Sequence, residues 1–244
     1  MRTQFTLIFI LLIKALSAQS LFLENGNIID VQSGEVLSGQ SILIEDGRIQ
    51  ALGKTLQAPA GIDRIDASGK FILPGLIDAH IHLFQSGGIY TRPDAMDLRS
   101  VVPYEEERAW LRENAGDMLK RYLAAGITTV ADVGGPLYNY PIRDAQNQDP
   151  ETATVFLTGP LISTYQPEAF QIKDPPIVKV NDPEEARQLV QKQLPYRPDF
   201  IKIWYIVGRG QTAEDNLPIV QATIEESHRH GRGRRDPYDL QRYL

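Results

Sequence analysis

The sequence predicts an α/β fold in which a small antiparallel β unit precedes a layer of parallel strands and helices. Short runs of Ile, Leu and Val between residues 21 and 66 are separated by Asn-Gly, Ser-Gly and Asp-Gly pairs, which suit hairpin turns. From residue 71 onward, strand-like and helix-like segments alternate, as is typical of parallel sheets. The run DFIKIWYIV at 199–207 is apolar on both faces except for one lysine, as expected for a strand covered by helices.

The amino-terminal residues have the composition of a secretory signal. Arg2 precedes the uncharged apolar stretch 5–13, and small residues follow near Ala18, where we expect cleavage. Lys14 interrupts the apolar run well short of the roughly 20 residues that a membrane span needs, so no stable anchor is expected after cleavage. The sequence predicts a protein exported to the periplasm or the medium, and the absence of cysteine excludes disulfides.

The overall charge is acidic. Acidic residues outnumber basic ones by 31 to 25, which gives a formal net charge of −6. This balance argues against general binding to phosphate backbones, so we expect no nucleic-acid partner.

Four strand–helix units are predicted after residue 70. Their strands are expected at 71–83, 126–135, 153–160 and 199–207. Tyr104–Ala125 is predicted to be a helix because glutamates at its start suit the helix dipole and a glycine follows its end. Asp182 is the predicted cap of a helix with Pro183 in its first turn. A last helix is expected over about 217–230, ending at a glycine.

The segment GLIDAHIHLFQSGG at 75–88 holds two of the four histidines, His80 and His82. Side chains at i and i+2 of a strand face the same way, so both imidazoles should project from one face near the strand's carboxyl end. Two such imidazoles either bind one zinc-like ion or are ordinary histidines near a strand end. Asp78 shares their parity, and it either takes part in metal binding or bonds to nearby backbone.

The histidine motif follows a β unit of the form GNIID…SILIEDGRIQALG…IDASGK, and this order resembles the amidohydrolase superfamily of metal-dependent hydrolases. It is most similar to the secreted branch that includes imidazolonepropionases and Xaa-Pro dipeptidases, over about residues 21–231. The resemblance implies the amino-terminal half of a metal-dependent (β/α)8 TIM barrel preceded by part of a small β-sandwich. The implied organisation is a signal peptide at 1–18, a partial β-sandwich at 19–70, four β/α units at 71–231 and an aberrant tail at 232–244.

The resemblance implies that His80 and His82 are metal ligands from the first barrel strand. It also implies divalent metal, expected as two zinc ions, acting on a small-molecule amide or peptide-like substrate. Lys202 lies in the predicted fourth strand, where several branches of the family carry a carboxylated lysine that bridges the two ions. Burial favours the neutral form of an amine, which can add carbon dioxide. The alternative is an ordinary lysine whose amine reaches solvent at the strand end.

Other polar residues near the predicted strand ends are candidates for substrate contacts. Gln85 begins a loop after the first strand, and Tyr165 and Gln166 follow the third. The segments DVGGP at 132–136 and TGP at 158–160 either line a pocket or serve as turns.

The resemblance requires more residues than the sequence provides. In the family, histidines from strands 5 and 6 complete the metal site, and an aspartate after strand 8 transfers the proton of the attacking water, so no catalytic acid–base residue is assigned. The remaining histidines, His228 and His230, lie at a predicted helix end, where positive charge is favourable. The Arg-rich run that begins at Gly231 is consistent with a one-base frameshift, and we hypothesise one there.

These observations predict an exported hydrolase that cleaves an amide, cyclic amide or dipeptide C–N bond with metal-activated water. The chain as written is expected to be inactive or poorly folded. Two alternatives remain open. One is a non-catalytic exported binding module that kept the strand-1 motif, and the other is a scaffold that assembles with another chain.

Overall fold

The computed structural model describes residues 20–85 and 88–232. The predicted signal peptide and the tail from residue 233 onward lie outside the described residues. Over the described ranges, no helix is long and apolar enough to cross a membrane. The chain divides into two compact units, Met1–Pro74 and Gly75–Leu244, here called the amino-terminal and carboxyl-terminal units.

The amino-terminal unit contains one described sheet of five strands, in the order β3–β2–β1–β4 with β5 also paired to β1. The strands are β1 (Leu21–Ile29), β2 (Val36–Glu45), β3 (Arg48–Gly53), β4 (Asp63–Asp66) and β5 (Phe71–Ile72). The predicted antiparallel pairing holds for β1, β2 and β3, whereas β4 and β5 run parallel to β1. Residues 54–62 form a connection rather than a tight turn, so the chain re-enters the sheet in the direction of β1.

The carboxyl-terminal unit alternates strands and helices, as predicted. Its elements are β6 (Leu76–Ile81), α1 (Tyr104–Ala124), β7 (Ile127–Asp132), α2 (Asn139–Gln146), β8 (Thr154–Leu157), β9 (Leu161–Ser163), β10 (Ile177–Lys179), α3 (Pro183–Gln193), β11 (Ile203–Trp204) and α4 (Leu217–Arg229). The strands pair in the orders β6–β7–β8 and β10–β9–β11, and every pairing is parallel. The four predicted strand–helix units are therefore present, with β8 and β9 together forming the third strand.

Two predicted strands are interrupted where the sequence carries proline and glycine. The first splits at 73–75, so that Phe71–Ile72 pairs with β1 while Leu76–Ile81 joins the parallel layer. A Cβ atom at Gly75 would lie 2.1 Å from Oγ1 of Thr128, so only glycine fits this approach. The third strand breaks at Pro160, which has no N–H to donate to a ladder.

Apolar side chains pack between the strands and the helices of the carboxyl-terminal unit. One cluster joins β6, β7 and β8 to α1 and α2, and its members include Ile81, Leu119, Val130, Tyr140 and Leu157. A second joins β9 to α3 and α4, with Ile162, Val190 and Ile219. Each fully buried aliphatic side chain contributes roughly 1.5–3 kcal/mol, so these clusters are the main source of cohesion.

A buried arginine positions the start of the fourth strand. Arg143 on α2 donates to the carbonyls of Tyr196 and Arg197 at 3.0 and 2.8 Å. Asp199 then exchanges two hydrogen bonds with Leu157, because the Asp199 N–H donates to the carbonyl and the carboxylate accepts from the Leu157 N–H, both at 2.9 Å. These contacts hold the chain that leads into β11 beside β8.

The start of α3 follows the predicted cap. The Asp182 carboxylate accepts from the N–H groups of Glu184 and Glu185 at 2.8 and 2.9 Å, and Pro183 occupies the first turn. The cap therefore satisfies two of the helix N–H groups that lack partners within the helix.

Replacing Asp182 by alanine should lower the free energy of unfolding of the carboxyl-terminal unit by about 1 kcal/mol, because both N–H groups lose their acceptor. Urea unfolding followed by tryptophan fluorescence measures this unit, since both tryptophans, Trp110 and Trp204, belong to it. Asp182→Asn keeps an acceptor oxygen and should retain most of the stability. Unchanged stability in the alanine variant would contradict the capping role.

Candidate functional site

The two histidines of the 75–88 segment lie together at the carboxyl end of β6, as the strand periodicity predicted. Their ring centroids are 5.5 Å apart in an edge-to-face arrangement. His80 is exposed, whereas only 22% of the His82 side chain is exposed. The strand end therefore presents one accessible and one sheltered imidazole side by side.

The ring of His82 is held by a turn that follows the neighbouring strand. Its Nδ1 lies 2.7 Å from the carbonyl oxygen of Gly134. Because a carbonyl only accepts, Nδ1 carries the proton, and Nε2 of the neutral ring is unprotonated. Burial lowers the pKa of His82 from its ordinary value of 6.5, and the charges of His80 and Lys202 lower it further.

Lys202 lies immediately before β11, half buried, and its carbonyl accepts from the N–H of Ile162 at 3.1 Å. Its charge acts on the imidazole of His82. The structure brings His80 and His82 together at the end of β6, whereas the charge effect on His82 is what links Lys202 to them, and Lys202 is less buried than its apolar strand suggested.

Asp132, the last residue of β7, is fully buried beside the histidines. Its Oδ1 lies 4.0 Å from Nδ1 of His82 and accepts from the N–H of Gly134 at 3.2 Å, and its Oδ2 accepts from the Asn139 side-chain amide at 2.9 Å. The N–H of Leu83 is a third donor. Burial raises the pKa of Asp132 to about 8, against the opposing effect of these hydrogen bonds.

The sequence did not single out Asp132 as more than a residue of a pocket or a turn. The available signal was an aspartate at the end of an apolar strand followed by two glycines. The structure shows the turn, and it shows that the turn contacts His82.

Asp78 bonds to local backbone, which was one of its two predicted roles. Its Oδ1 accepts from the N–H of His80 at 3.1 Å, and its charge acts on Tyr122 of α1. Across residues 20–85 and 88–232, no three His, Cys, Asp or Glu side chains cluster in a way that could hold a metal ion. Asp78 therefore does not complete a metal-binding group with the two histidines.

Gln85 lies close to His82, as expected for the loop after the first strand. Its N–H donates to the carbonyl of His82 at 3.0 Å. Both residues line a mainly apolar cavity of about 480 Å³, together with Met118, Arg121 and Tyr122 of α1. Residues 86–87 of this loop lie outside the described residues.

Tyr165 and Gln166 follow β9, at the same end of the layer. The Tyr165 ring is half exposed, with its centroid 6.2 Å from that of Trp204 on β11. The Gln166 amide donates to the carbonyl of Phe170 at 2.9 Å, so it already holds its own loop. Tyr165 therefore has the freer side chain of the two.

The 158–160 segment and His230 at the end of α4 each contact neighbouring side chains. The 158–160 segment is bound by α3, since Gln193 accepts from the N–H of Gly159 at 3.1 Å and donates to the carbonyl of Pro160 at 3.1 Å. His228 and His230 lie at the end of α4 as predicted, and the His230 ring contacts Glu226 at 3.2 Å.

Part of the chain is similar in sequence to part of several curated hydrolases. A dihydroorotase from Geobacter metallireducens is 45% identical over 73 residues, which are 29% of this chain and 16% of that protein. An imidazolonepropionase from Vibrio cholerae is 38% identical over 76 residues, which are 31% of this chain and 18% of that protein. The matched stretch is therefore less than a fifth of either relative.

Solved structures share the fold over a longer range. A prolidase complexed with N-methylphosphonate-L-proline superposes with a TM-score of 0.67 at 19% identity, over 88% of this chain and 55% of that one. A Xaa-Pro dipeptidase with bound methionine gives 0.64 at 22% identity, over 88% and 55%. The chain thus spans about half the length of these structures and has the fold of the amino-terminal half of an amidohydrolase TIM barrel.

A sequence profile described as the amidohydrolase family matches residues 71–202, more than half of the chain. The matched range contains both histidines at the carboxyl end of β6, the aspartate at the end of β7 and the lysine before β11. The chain therefore belongs to the amidohydrolase family.

Proposed function

We propose that the protein is a metal-dependent hydrolase that cleaves a carbon–nitrogen bond in a small amide, cyclic amide or peptide-like substrate. The observation that carries this proposal is the imidazole pair at the end of β6, in which Nδ1 of His82 donates to the Gly134 carbonyl, so that Nε2 of the neutral ring is unprotonated. The names of the similar proteins, a dihydroorotase, an imidazolonepropionase and a prolidase, support the class of bond. The proposal concerns the whole protein, because the chain spans about half the length of the solved relatives.

The donor set fits part of a divalent metal site. A lowered pKa keeps the His82 imidazole neutral, which is the form that binds metal. The exposed ring of His80 adjoins it as a second nitrogen donor. Zinc accepts imidazole nitrogen and carboxylate-type oxygen, and we propose zinc, as two ions, with His80, His82 and a carboxylated Lys202 among the ligands.

Lys202 would contribute oxygen only after modification. Its neutral Nζ would attack carbon dioxide, form an N–C bond and release a proton, which leaves an anionic carbamate. The support for this role is that Lys202 is half buried and that its charge acts on the imidazole of His82.

The chain's own residues would hold the ion, orient its ligands and contact the substrate. A divalent metal ion, when bound, activates water and polarises the scissile carbonyl. The Gly134 carbonyl would keep the His82 ring oriented, as partners of ligating histidines do. We assign substrate contacts to Gln85, Tyr165 and Gln166, which lie on loops at this end of the layer.

We also propose that the protein is exported. The support is the amino-terminal sequence, in which a basic residue, an apolar stretch and small residues follow one another in the order of a cleaved signal.

In the full-length protein, the double variant His80→Ala/His82→Ala should lose tightly bound zinc and all chelator-sensitive hydrolysis of a panel of cyclic amides and Xaa-Pro dipeptides. The double variant His228→Ala/His230→Ala is the matched control, since it removes the other two histidines of the chain. Zinc content after dialysis and product formation measure the two effects. Equal zinc content in both variants would refute the ligand assignment, and an unmodified protein that neither binds zinc nor hydrolyses the panel would favour a non-catalytic binding module.

Native mass spectrometry of the zinc-loaded protein should show the added mass of one carbon dioxide, and Lys202→Met should remove it. Lys192→Met, on α3, is the control and should retain the adduct. An adduct that persists in the Lys202 variant, or that is absent from the unmodified protein in bicarbonate buffer, would rule out the carbamate.

A further inference from the structure

Asp132 is buried completely, yet within residues 20–85 and 88–232 no lysine or arginine side chain forms an ion pair with it. Its Oδ1 lies 4.0 Å from Nδ1 of His82. Its carboxyl group instead accepts from backbone and amide N–H groups. Burying a carboxyl group is unfavourable unless its oxygens accept hydrogen bonds, so the N–H groups around Asp132 must lie within hydrogen-bonding distance of its oxygens.

The three donors come from three separate elements. Leu83 follows His82 directly in the chain, Gly134 is in the turn after β7, and Asn139 begins α2. Two of these donors belong to residues that fix His82. Leu83 is its neighbour in the chain, and Gly134 is the residue whose carbonyl accepts from the His82 ring. The Asp132 carboxyl group thus links the backbone and the ring orientation of the same histidine.

The turn at Gly134 depends on its hydrogen bond to Asp132 for a fixed conformation. Gly134 has a φ of 145°, and a Cβ atom there would lie 2.3 Å from a methyl carbon of Leu161. The residue is therefore restricted to glycine, which by itself supplies little rigidity. The bond from its N–H to Asp132 holds the peptide that presents the carbonyl to His82.

Asn139 shows how the carboxyl group is itself oriented. Its Nδ2 donates to Asp132, and its Oδ1, which is buried, has no hydrogen-bond partner among the described residues. A side-chain amide in this position fixes the plane of the carboxyl group, so that the other oxygen faces Gly134.

We infer that Asp132 is a positioning residue that holds His82 as the Nδ1–H tautomer, with Nε2 unprotonated, through Gly134 and Leu83. The relay runs from Asn139 to Asp132, from Asp132 to the Gly134 turn, and from that turn to the imidazole. The use of this relay in metal binding rests on the proposed function, whereas the tautomer and orientation of His82 do not.

The test is the ring-nitrogen NMR spectrum of the four histidines in the metal-free protein, followed by zinc titration. Asp132→Ala should convert His82 from one Nδ1–H tautomer to a mixture and weaken zinc binding by about 10- to 100-fold. Asp132→Asn should keep the tautomer and most of the affinity, because Asn139 can turn its unpartnered Oδ1 toward the new amide. Thr158→Val replaces a fully buried hydroxyl at the end of β8 and is the control, with no expected change in His82.

The outcomes separate this inference from the proposed function. An unchanged His82 tautomer in a folded Asp132→Ala variant would overturn the inference, whatever the zinc affinity. A changed tautomer in a protein that binds no zinc would uphold the inference and refute the metal site. If circular dichroism shows that the alanine variant is unfolded, Asp132→Ser decides, since one short hydroxyl cannot serve all three donors and a wild-type His82 signal there would overturn the inference.

Discussion

Three N–H groups from different parts of the chain meet at the buried carboxyl group of Asp132, and the candidate site depends on this convergence. The donors belong to the segment after β6, the turn after β7 and the first turn of α2. An unsatisfied carboxyl oxygen in this position would cost about 1–3 kcal/mol, so the three elements keep their relative positions together. The placement of His82 against Gly134 follows from that arrangement.

The rest of the strand ends are held by a second set of polar links that cross between loops. Arg108 of α1 donates to the carbonyls of Lys173 and Asp174 at 3.1 and 3.2 Å. The Asp174 carboxylate accepts from the N–H groups of Leu137 and Tyr138, in the segment that leads into α2. Apolar packing supplies most of the cohesion of the layer, while these bonds set the conformation of the loops around the histidines.

Much of the fold could be predicted from local sequence. The acidic start of Tyr104–Ala124 and the Asp182 cap mark helix ends by interactions within a few residues, so spacing alone locates them. The interruptions of the strands were harder to predict. Whether a proline or glycine ends a strand or only interrupts it depends on the neighbours that approach there, as Thr128 approaches Gly75.

By itself, the sequence determined the order of strand–helix units and the pairing of His80 with His82 on one strand face, because both follow from the periods of regular secondary structure. Only the tertiary structure decided which nitrogen of His82 carries the proton, because the accepting carbonyl of Gly134 lies in the turn after another strand. It also decided that the charge of Lys202 lowers the pKa of the same imidazole and that the Asp132 carboxyl group accepts from the N–H of Gly134. These contacts depend on the parallel register of separate strands, and no local pattern encodes that register.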